Sequence, residues 1–273
     1  MRETIRIEEA GDPRIAAFRD IRERDLTGRQ DRFIAEGTVV LRVLAEAHAH
    51  VRFAVEAVLL LSNRVNGVRD ILARLPDGVP VYVAEQAVMN GIVGFDMHRG
   101  VLALGRRVEK AGAEAVIAGL PQAALAVVCC GISNHDNIGA IFRNAAALGA
   151  DAVLLDETCC DPLYRKALRV SVGAVLAVPY SRGGRAEDIL ATLAATGFGI
   201  MALSPSGMID IRAAKPGART ALVLGTEGEG LPAEILARFD SVRVPQAPGL
   251  DSLNVGTATG IALYQIASAM GRI

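Results

Sequence analysis

Apolar runs alternate with amphipathic stretches along the second half of the chain. From residue 124 onward, six runs are apolar enough to form buried strands: ALAVVCC, DAVLLD, LAVPY, FGIMAL, TALVLG and the shorter SVRVP. The stretches between and after them repeat apolar residues at helical spacing: IGAIFRNAAALG, DPLYRKALRVSVG, AEDILATLAATG, PAEILARF and NVGTATGIALYQIASAM. Strands that are apolar on both faces and separated by helices predict an α/β fold with a parallel sheet covered on both sides.

One of these helices has an expected starting point. In DPLYRKALRVSVG, Asp161 is a residue type that caps helices, and Pro162 suits the first helical position because the N–H that it lacks would have no partner there. The pattern therefore predicts a helix that begins at this pair.

The first half of the chain repeats the alternation on a smaller scale. Residues 33–104 contain the strand candidates FIAEG, AVEAVLLL, VPVYVA and GVLAL, with a helix up to Ala49 and another around residues 68–75. We predict a domain over residues 1–107, of which residues 1–32 are a polar, arginine-rich leader. Residues 108–122 are rich in Ala and Gly and are the predicted linker, and residues 123–273 form the second domain.

Composition limits the classes of protein that the chain can belong to. Hydrophobic residues make up 51% of its 273 residues, which indicates a globular protein. No apolar run reaches the roughly 18–20 residues of a membrane span, and the N-terminus is charged and lacks an apolar signal core. We therefore expect the protein to be cytoplasmic. The net charge of −1 provides no global attraction for nucleic acid, so a nucleic-acid partner of any kind would have to bind local basic patches.

Several kinds of site are disfavoured by the residues present. The cysteines form two vicinal pairs, Cys129–Cys130 and Cys159–Cys160, without C-x-x-C spacing, and the four histidines share no ligand spacing, so we predict no metal site. The chain has neither a P-loop nor a G-x-G-x-x-G after a strand, which disfavours an NAD enzyme and an ordinary Rossmann methyltransferase. Aromatic residues are only 4%, so an RNA-binding sheet of stacked rings is also disfavoured.

Three loops carry more polar residues and glycines than structure alone requires. They are NHDNIGAIFRNAAALGA, LVLGTEGEGLP and VRVPQAPGLDSLNVGTATGIALYQ. Each also has a purely structural interpretation. In the first loop, Asn137 could be a helix N-cap and Arg143 a surface arginine. The second loop, which we call the glycine loop and which contains Gly225, Gly228 and Gly230, could be a flexible turn. In the third loop, Ser252 could cap the last helix. Glycines after a strand also let a ligand approach the backbone closely.

The order and combination of the three loops resemble the three motifs of the SpoU/TrmH family of SPOUT RNA methyltransferases. The first motif, usually N-x-G-A-I-x-R-T-A, is NIGAIFRNA here, from Asn137 to Ala145. The second is the loop GTEGEGL from Gly225, and the third, usually I-P-M-x-G-x-x-x-S-L-N-V, is VPQAPGLDSLNV from Val244. The resemblance covers about residues 124–270, and DPLYRKALRVSVGAV also resembles a helix of the family.

The resemblance implies a chemistry and a set of site residues. The family transfers a methyl group from S-adenosylmethionine to a ribose 2′-hydroxyl of RNA, without a metal. The resemblance implies that Arg143 is the main catalytic residue and contacts the target phosphate. Asn137, Ser252 and Asn254 would fix the ribose, the phosphate and the loop geometry, and Glu227 would anchor either the loops or Arg143. The proton acceptor is either a group of the protein or the RNA phosphate. Cofactor-binding residues by the same transfer are Gly225, Gly228, Val244, Leu253 and Asn254.

The resemblance also carries expectations for architecture and partners. It implies a C-terminal trefoil knot and a homodimer in which Arg143 of one chain lies near the cofactor of the other. The N-terminal domain resembles the L30e-like substrate-binding domain of many relatives, which favours ribosomal RNA over tRNA. Three residues depart from the usual motifs: Gln246 replaces Met, Pro248 stands where Gly is commonest, and Asn144 replaces Thr, while Gly249 could restore flexibility.

RNA binding is expected from two local arginine patches. The first is Arg165, Lys166 and Arg169, of which the two arginines share one face of a predicted helix. The second is the leader, with Arg14, Arg19, Arg22, Arg24, Arg29 and Arg32. Solvated surface is the alternative for each residue. Two other functions stay open: a non-catalytic RNA-binding protein that keeps the fold, which need not bind S-adenosylmethionine, and a relative that methylates a base.

Overall fold

The computed structural model describes residues 3–19, 23–50, 52–93, 99–249 and 252–273. Arg22, His98, Leu250, Asp251 and the side chain of Arg24 lie outside the described part. The strands, in chain order, are β1 (Ile5–Ile7), β2 (Arg32–Glu36), β3 (Phe53–Leu61), β4 (Val81–Ala84), β5 (Val101–Arg107), β6 (Ala124–Cys129), β7 (Ala152–Leu155), β8 (Tyr180–Arg182), β9 (Gly199–Leu203), β10 (Ile209–Asp210), β11 (Arg219–Leu224) and β12 (Asp240–Arg243).

The α-helices are α1 (Glu23–Arg29), α2 (Thr38–Ala49), α3 (Arg69–Leu72), α4 (Gln86–Val93), α5 (Ala113–Ala118), α6 (His135–Ala147), α7 (Arg165–Val170), α8 (Ala174–Ala177), α9 (Ala186–Ala195), α10 (Ala233–Arg238) and α11 (Val255–Ala269). Short 3₁₀ helices cover Pro13–Phe18, Ser62–Val68 and Ile211–Ala213. In the described part of the chain, no helix is both long enough and apolar enough to cross a membrane.

The chain divides into two compact units. The first comprises Met1–Glu109 with Leu163–Ala177, and the second comprises Lys110–Pro162 with Val178–Ile273. This differs from the predicted continuous domain over residues 123–273, because the segment that carries α7 and α8 packs with the first unit. Within that unit Arg165 is paired with Glu36, and Gly173 lies so close to Val43 that an added Cβ would be 3.1 Å from the Val43 Cβ.

The first unit is built on a mixed sheet with the order β1-β4-β3-β5-β2. β1, β4 and β3 run parallel, whereas β5 is antiparallel to β3 and to β2. The interpretation of residues 1–32 as a polar leader is therefore wrong in part, since β1 adds a strand to this sheet. Ile15 and Phe18 are also buried in its core because they supply apolar side chains to the sheet face.

The second unit holds a seven-stranded sheet in the order β10-β12-β9-β11-β6-β7-β8. All of its strand pairs are parallel, which confirms the α/β fold with a parallel sheet that the apolar runs predict. The predicted linker over residues 108–122 contains α5, and Ile117 of that helix is buried in the core of the unit. The stretch is thus partly structural, because an alanine-rich sequence also suits a short helix.

Two predicted boundaries near α7 are wrong. The helix begins at Arg165 after an N-cap at Tyr164, so Asp161 is not the cap and Pro162 is not helical. The chain then breaks at Val172 and Gly173, which have φ values of 54° and 86°, before α8. LAVPY was expected as a strand, but the strand is Tyr180–Arg182, since the preceding Leu176 and Ala177 belong to α8.

Candidate functional site

A cavity of about 490 Å³ opens at the carboxyl ends of β9, β11 and β12. Carboxyl ends of parallel strands are where α/β sheets commonly bind ligands. The wall consists of residues 203–206 at the end of β9, residues 224–231 after β11, Leu236 of α10, Val244 and Gln246 after β12, and residues 252–255 with Ala258 at the start of α11. The residues assigned to cofactor binding by resemblance all line it: Gly225, Gly228, Val244, Leu253 and Asn254.

The glycine loop after β11 closes on itself. Thr226 and Gly230 exchange two backbone hydrogen bonds of 3.2 Å each. A Cβ at Gly225 would lie 2.3 Å from the Gly230 carbonyl carbon, so only glycine fits there. Gly228 has open space around a Cβ position but a φ of 95°, which L side chains rarely adopt. The loop is therefore a defined turn, and the chain's own backbone explains Gly225 without a ligand.

Three polar side chains, one from each motif, meet beside this loop. Asn137 of α6 is buried, and its Nδ2 donates to Glu227 Oε1 at 2.5 Å. Asn254 Nδ2 donates to Asn137 Oδ1 at 2.8 Å and to Glu227 Oε1 at 3.2 Å. We call Asn137, Glu227 and Asn254 the polar triangle. It holds the start of α6, the glycine loop and the start of α11 together at one edge of the cavity.

The two capping alternatives that the sequence left open are wrong. The N-cap of α6 is Asn134, whose side chain accepts from the Asp136 N–H at 2.8 Å. The N-cap of α11 is Asn254, which accepts from the N–H groups of Gly256 and Thr257. Asn137 is instead a buried member of the polar triangle. Ser252 is exposed and lines the cavity, so neither residue caps its helix.

Arg143 lies on α6, exposed, with no ion pair to any described side chain. Its guanidinium is thus available to an anion from outside. The next residue, Asn144, explains one departure from the family motif, because its Nδ2 donates to the Gly256 carbonyl at 2.8 Å. Gly256 is packed so closely that a Cβ would come 2.7 Å from the Cβ of Ala140. Asn144 therefore fastens α6 to α11.

The two other departures lie in the segment after β12. Gln246 lines the cavity, whereas Pro248 is exposed. Gly249, which follows, has a φ of 95°, in the left-handed region that glycine permits. The backbone conformation at this position therefore requires glycine.

The first arginine patch is only partly available to RNA. Arg165 Nε lies 2.8 Å from Glu36 Oε2, and the Glu36 side chain is only 8% exposed. Arg99 is a more distant second partner of Glu36, at 3.9 Å. Arg165 therefore neutralises a buried carboxylate, which is a structural role. Lys166 and Arg169 on the same helix are exposed.

The arginines of the leader differ in whether they form ion pairs with other side chains of the protein. Arg32 Nε lies 2.7 Å from Glu56 Oε2, and Arg14 forms a bidentate pair with Asp12. This pairing lowers the pKa of Asp12 to about 2. Arg29 is exposed at the end of α1. Arg32 and Arg14 therefore have protein partners, which the sequence pattern did not reveal.

Asp156 is an organising residue that the sequence analysis missed. Its carboxylate accepts hydrogen bonds from the N–H groups of Gly131, Thr158 and Cys159 and from the Thr158 hydroxyl. It thereby joins the loops after β6 and β7. An acidic residue directly after an apolar strand was the available signal. Gly131 in turn packs against the glycine loop, since a Cβ there would lie 2.6 Å from Thr226 Cγ2.

The cysteines are packing residues in the same region. Cys129, Cys130 and Cys159 are buried and all four thiols are free. Burial raises the pKa of Cys130 to about 12 and that of Cys160 to about 11. Among the described residues, no group of histidines, cysteines and carboxylates is arranged to hold a metal ion.

Residues 124–264 match the model of the SpoU rRNA methylase family, over more than half of the chain. This range contains all three motifs, the cavity lining and the polar triangle. The chain belongs to this family. Its relatives include an uncharacterised tRNA/rRNA methyltransferase of Mycobacterium bovis, which is 41% identical over 93% of this chain and 88% of the relative. A 23S rRNA (guanosine-2′-O-)-methyltransferase of Ralstonia nicotianae is 30% identical over 69% of this chain and 76% of its own length.

Solved structures agree with the SpoU fold over nearly the whole chain. An AdoMet-bound rRNA methyltransferase from Sinorhizobium meliloti superimposes with a TM-score of 0.81 at 24% identity, covering 97% of this chain and 98% of its own. An RNA 2′-O ribose methyltransferase superimposes with a TM-score of 0.78 at 25% identity, covering 97% and 99%. The likeness therefore extends through the first unit as well as the SpoU region.

Proposed function

We propose that this SpoU family member transfers a methyl group from S-adenosylmethionine to a ribose 2′-hydroxyl of structured RNA, ribosomal RNA in preference to tRNA. The observation that carries the proposal is the polar triangle. It gathers side chains of all three motifs at the edge of a 490 Å³ cavity, while Arg143 of the same helix as Asn137 stays exposed. A non-catalytic RNA-binding protein has no need for this combination.

The cavity fits a nucleoside-containing cofactor. Its volume of 490 Å³ is within the range of small-molecule sites. Gly225, Val244 and Leu253 would hold S-adenosylmethionine through backbone groups, with Gly228 and Asn254 beside it. The wall combines apolar side chains, such as Leu203, Leu231 and Leu236, with the polar groups of the glycine loop, as is usual for a small-molecule site. When bound, the cofactor supplies an activated methyl group, so no metal is required.

Arg143 is the proposed catalytic residue. A guanidinium is permanently charged and forms paired hydrogen bonds with phosphate, so Arg143 would orient the phosphate next to the target ribose. Positioning the hydroxyl for in-line attack is a large part of the catalysis available to such a site. Ser252, exposed at the cavity, would contact the same nucleotide. A protein group or the substrate phosphate would accept the hydroxyl proton.

The remaining architecture belongs to the same proposal. The first unit would bind RNA as an L30e-like domain, and the second would form the trefoil knot of SPOUT enzymes. A homodimer would bring Arg143 of one copy near the cofactor of the other. Ile261 and Tyr264 support a second copy as partner, because these large apolar side chains on α11 are 43% and 59% exposed.

Methyl transfer from labelled S-adenosylmethionine tests the proposal. Wild type should label ribosomal RNA more rapidly than tRNA. Arg143→Ala should lose transfer by about a hundredfold or more, as expected for a residue acting in the transition state, with its melting temperature unchanged. Arg143→Lys keeps the charge without the paired donors and should recover only part of the rate. Absence of S-adenosylmethionine binding by calorimetry would instead favour a non-catalytic RNA-binding protein.

A further inference from the structure

Asp156, which directly follows β7, is a buried carboxylate held by donors from two different loops. The residue is only 7% exposed. From its own loop, its Oδ1 atom accepts the Thr158 hydroxyl at 2.8 Å and the Cys159 N–H at 2.9 Å. From the loop after β6 it accepts the Gly131 N–H, which lies 3.1 Å from Oδ2 and 3.2 Å from Oδ1. A buried carboxylate requires such donors, and these donors join the loops beyond the ends of β6 and β7.

The loop that carries Gly131 is packed tightly against the glycine loop. Gly131 has a φ of 71°, and a Cβ added there would lie 2.6 Å from Thr226 Cγ2. Thr226 lines the cavity and closes the glycine loop through its two backbone hydrogen bonds with Gly230. Further along the same chain segment, Asn137 of α6 donates to Glu227 of the glycine loop. The connection from β6 into α6 therefore contacts the glycine loop at two points, Gly131 and Asn137.

We propose that Asp156 is a positioning residue for the cofactor, because by holding Gly131 against Thr226 it fixes the glycine loop in the shape that binds S-adenosylmethionine. This inference rests on the proposed function, in which the cavity holds S-adenosylmethionine. Asp156 does not itself line that cavity, so its effect reaches the cofactor through Gly131 and the glycine loop. The loop depends on such outside contacts, since residues 227–229 are exposed and its two closing hydrogen bonds are long, at 3.2 Å.

Asp151, at the other end of β7, provides a matched control. Its Oδ2 atom accepts the Leu125 N–H at 2.8 Å and lies 2.7 Å from Arg272 Nη2. Asp151 therefore joins β6 and β7 as Asp156 does, but at the amino ends of the two parallel strands. The five residues from Asp151 to Asp156 span roughly 16 Å of extended chain, and the cavity lies at the carboxyl ends. Changes at either carboxylate should loosen the sheet, whereas only changes at Asp156 should disturb the cofactor.

Calorimetry with S-adenosylhomocysteine, together with urea unfolding, compares Asp156→Asn with Asp151→Asn. In Asp156→Asn the remaining oxygen stays with the Thr158 and Cys159 donors, so the new NH₂ group faces the Gly131 N–H and neither has an acceptor. The affinity for S-adenosylhomocysteine should fall about tenfold, because a hydrogen bond to a charged group is lost at the contact that seats the glycine loop. Asp151→Asn should lower the free energy of unfolding but bind S-adenosylhomocysteine as wild type does.

Variants on the other side of the contact test the same path, and they carry the test if Asp156→Asn does not fold. Gly131→Ala places a methyl group against Thr226 Cγ2 and should also weaken S-adenosylhomocysteine binding. Thr226→Ser removes that Cγ2 atom but keeps the hydroxyl that donates to the Gly230 carbonyl. Combined with Gly131→Ala, it should therefore restore part of the lost affinity, which a general loss of stability would not allow.

Four results would overturn the inference. The first is an Asp156→Asn variant with wild-type affinity, and the second is an Asp151→Asn variant that loses as much affinity as Asp156→Asn, since the cause would then be a loosened sheet. The third is wild-type affinity in Gly131→Ala, and the fourth is a loss in Gly131→Ala that Thr226→Ser leaves unchanged. Failure of the proposed function looks different, because wild type itself would then not bind S-adenosylhomocysteine.

Discussion

Asn254 donates a hydrogen bond of 2.8 Å to Asn137, 117 residues earlier in the chain. The same Asn254 side chain uses its Oδ1 atom to cap α11. One amide therefore fixes the start of the last helix and joins it to α6, and both of its polar atoms are occupied. This double use explains why an asparagine, with a donor and an acceptor on one short side chain, stands at this position.

Two substitutions separate these roles. Asn254→Asp keeps an acceptor for the cap but loses the donor and brings a second carboxylate beside Glu227. It should clearly weaken S-adenosylhomocysteine binding, because the hydrogen bonds that join the start of α11 to Asn137 and Glu227 at the cavity edge are lost. Asn254→Ala also loses the cap and should lower the free energy of unfolding by about 1–2 kcal/mol. Urea unfolding and calorimetry measure the two effects. An Asp variant that binds as wild type does would show that the polar triangle does not shape the cavity.

The glycine loop gives a prediction about close packing. Gly225→Ala would place a methyl group 2.3 Å from the Gly230 carbonyl carbon, so the loop must shift. We expect a loss of about 1–3 kcal/mol in unfolding free energy together with weaker cofactor binding. Gly217→Ala is the control, since its added Cβ would have only an ordinary contact at 3.9 Å. Equal melting temperatures and affinities for the two variants would contradict this account of the loop.

The sequence predicted the parallel sheet well, for a physical reason. Strands buried on both faces must be apolar throughout, so runs such as TALVLG identify β11 directly. The local residue pattern was insufficient where contacts with distant residues determine where a helix ends. The amphipathic stretch from Asp161 suggested one helix, yet the chain breaks at Val172 and Gly173 where it meets Val43. Residue spacing along a helix contains no information about such a distant neighbour.

The site residues were predictable by motif, but their contacts were not. Resemblance brought Asn137, Glu227 and Asn254 into one list, and the structure joins them by hydrogen bonds. Charge pattern alone failed for Arg165, since nothing in the local sequence indicates that Glu36, 129 residues earlier, is its buried partner. A basic cluster is therefore a poor guide to RNA contacts until its ion pairs are known.

Arg165 and Arg169, one helical turn apart, provide a matched pair. Arg165→Ala leaves the buried Glu36 with the distant Arg99 as its ion-pair partner among the described side chains, and should cost about 1–3 kcal/mol of unfolding free energy. Arg169→Ala should change stability by no more than about 0.5 kcal/mol and should weaken RNA binding, with a salt dependence reduced by about one phosphate contact. Urea unfolding and RNA titration at several salt concentrations compare them. If Arg165→Ala instead weakens RNA binding with little change in stability, and Arg169→Ala lowers stability, Arg165 faces the RNA.

Thiol reactivity should follow the raised pKa values. Burial raises the pKa of Cys130 to about 12 and that of Cys160 to about 11, so at pH 7.5 both are protonated and slow to react. Iodoacetamide should leave the native protein almost unmodified at that pH, and rising pH should activate Cys160 first. The unfolded chain should take up four labels by mass spectrometry. Rapid native labelling of Cys129 or Cys130 would contradict the buried packing.

The measurement that tests the central claim most directly is the position of the transferred methyl group. Ribosomal RNA is incubated with the protein and S-adenosylmethionine carrying a heavy-isotope methyl group, digested to nucleosides and analysed by mass spectrometry. The account predicts the label on a 2′-O-methylribose, with none on a base. It also predicts no label when the mapped nucleotide carries a 2′-deoxyribose, since the acceptor is then missing. A labelled base, or transfer that persists on the 2′-deoxy substrate, would contradict ribose methylation.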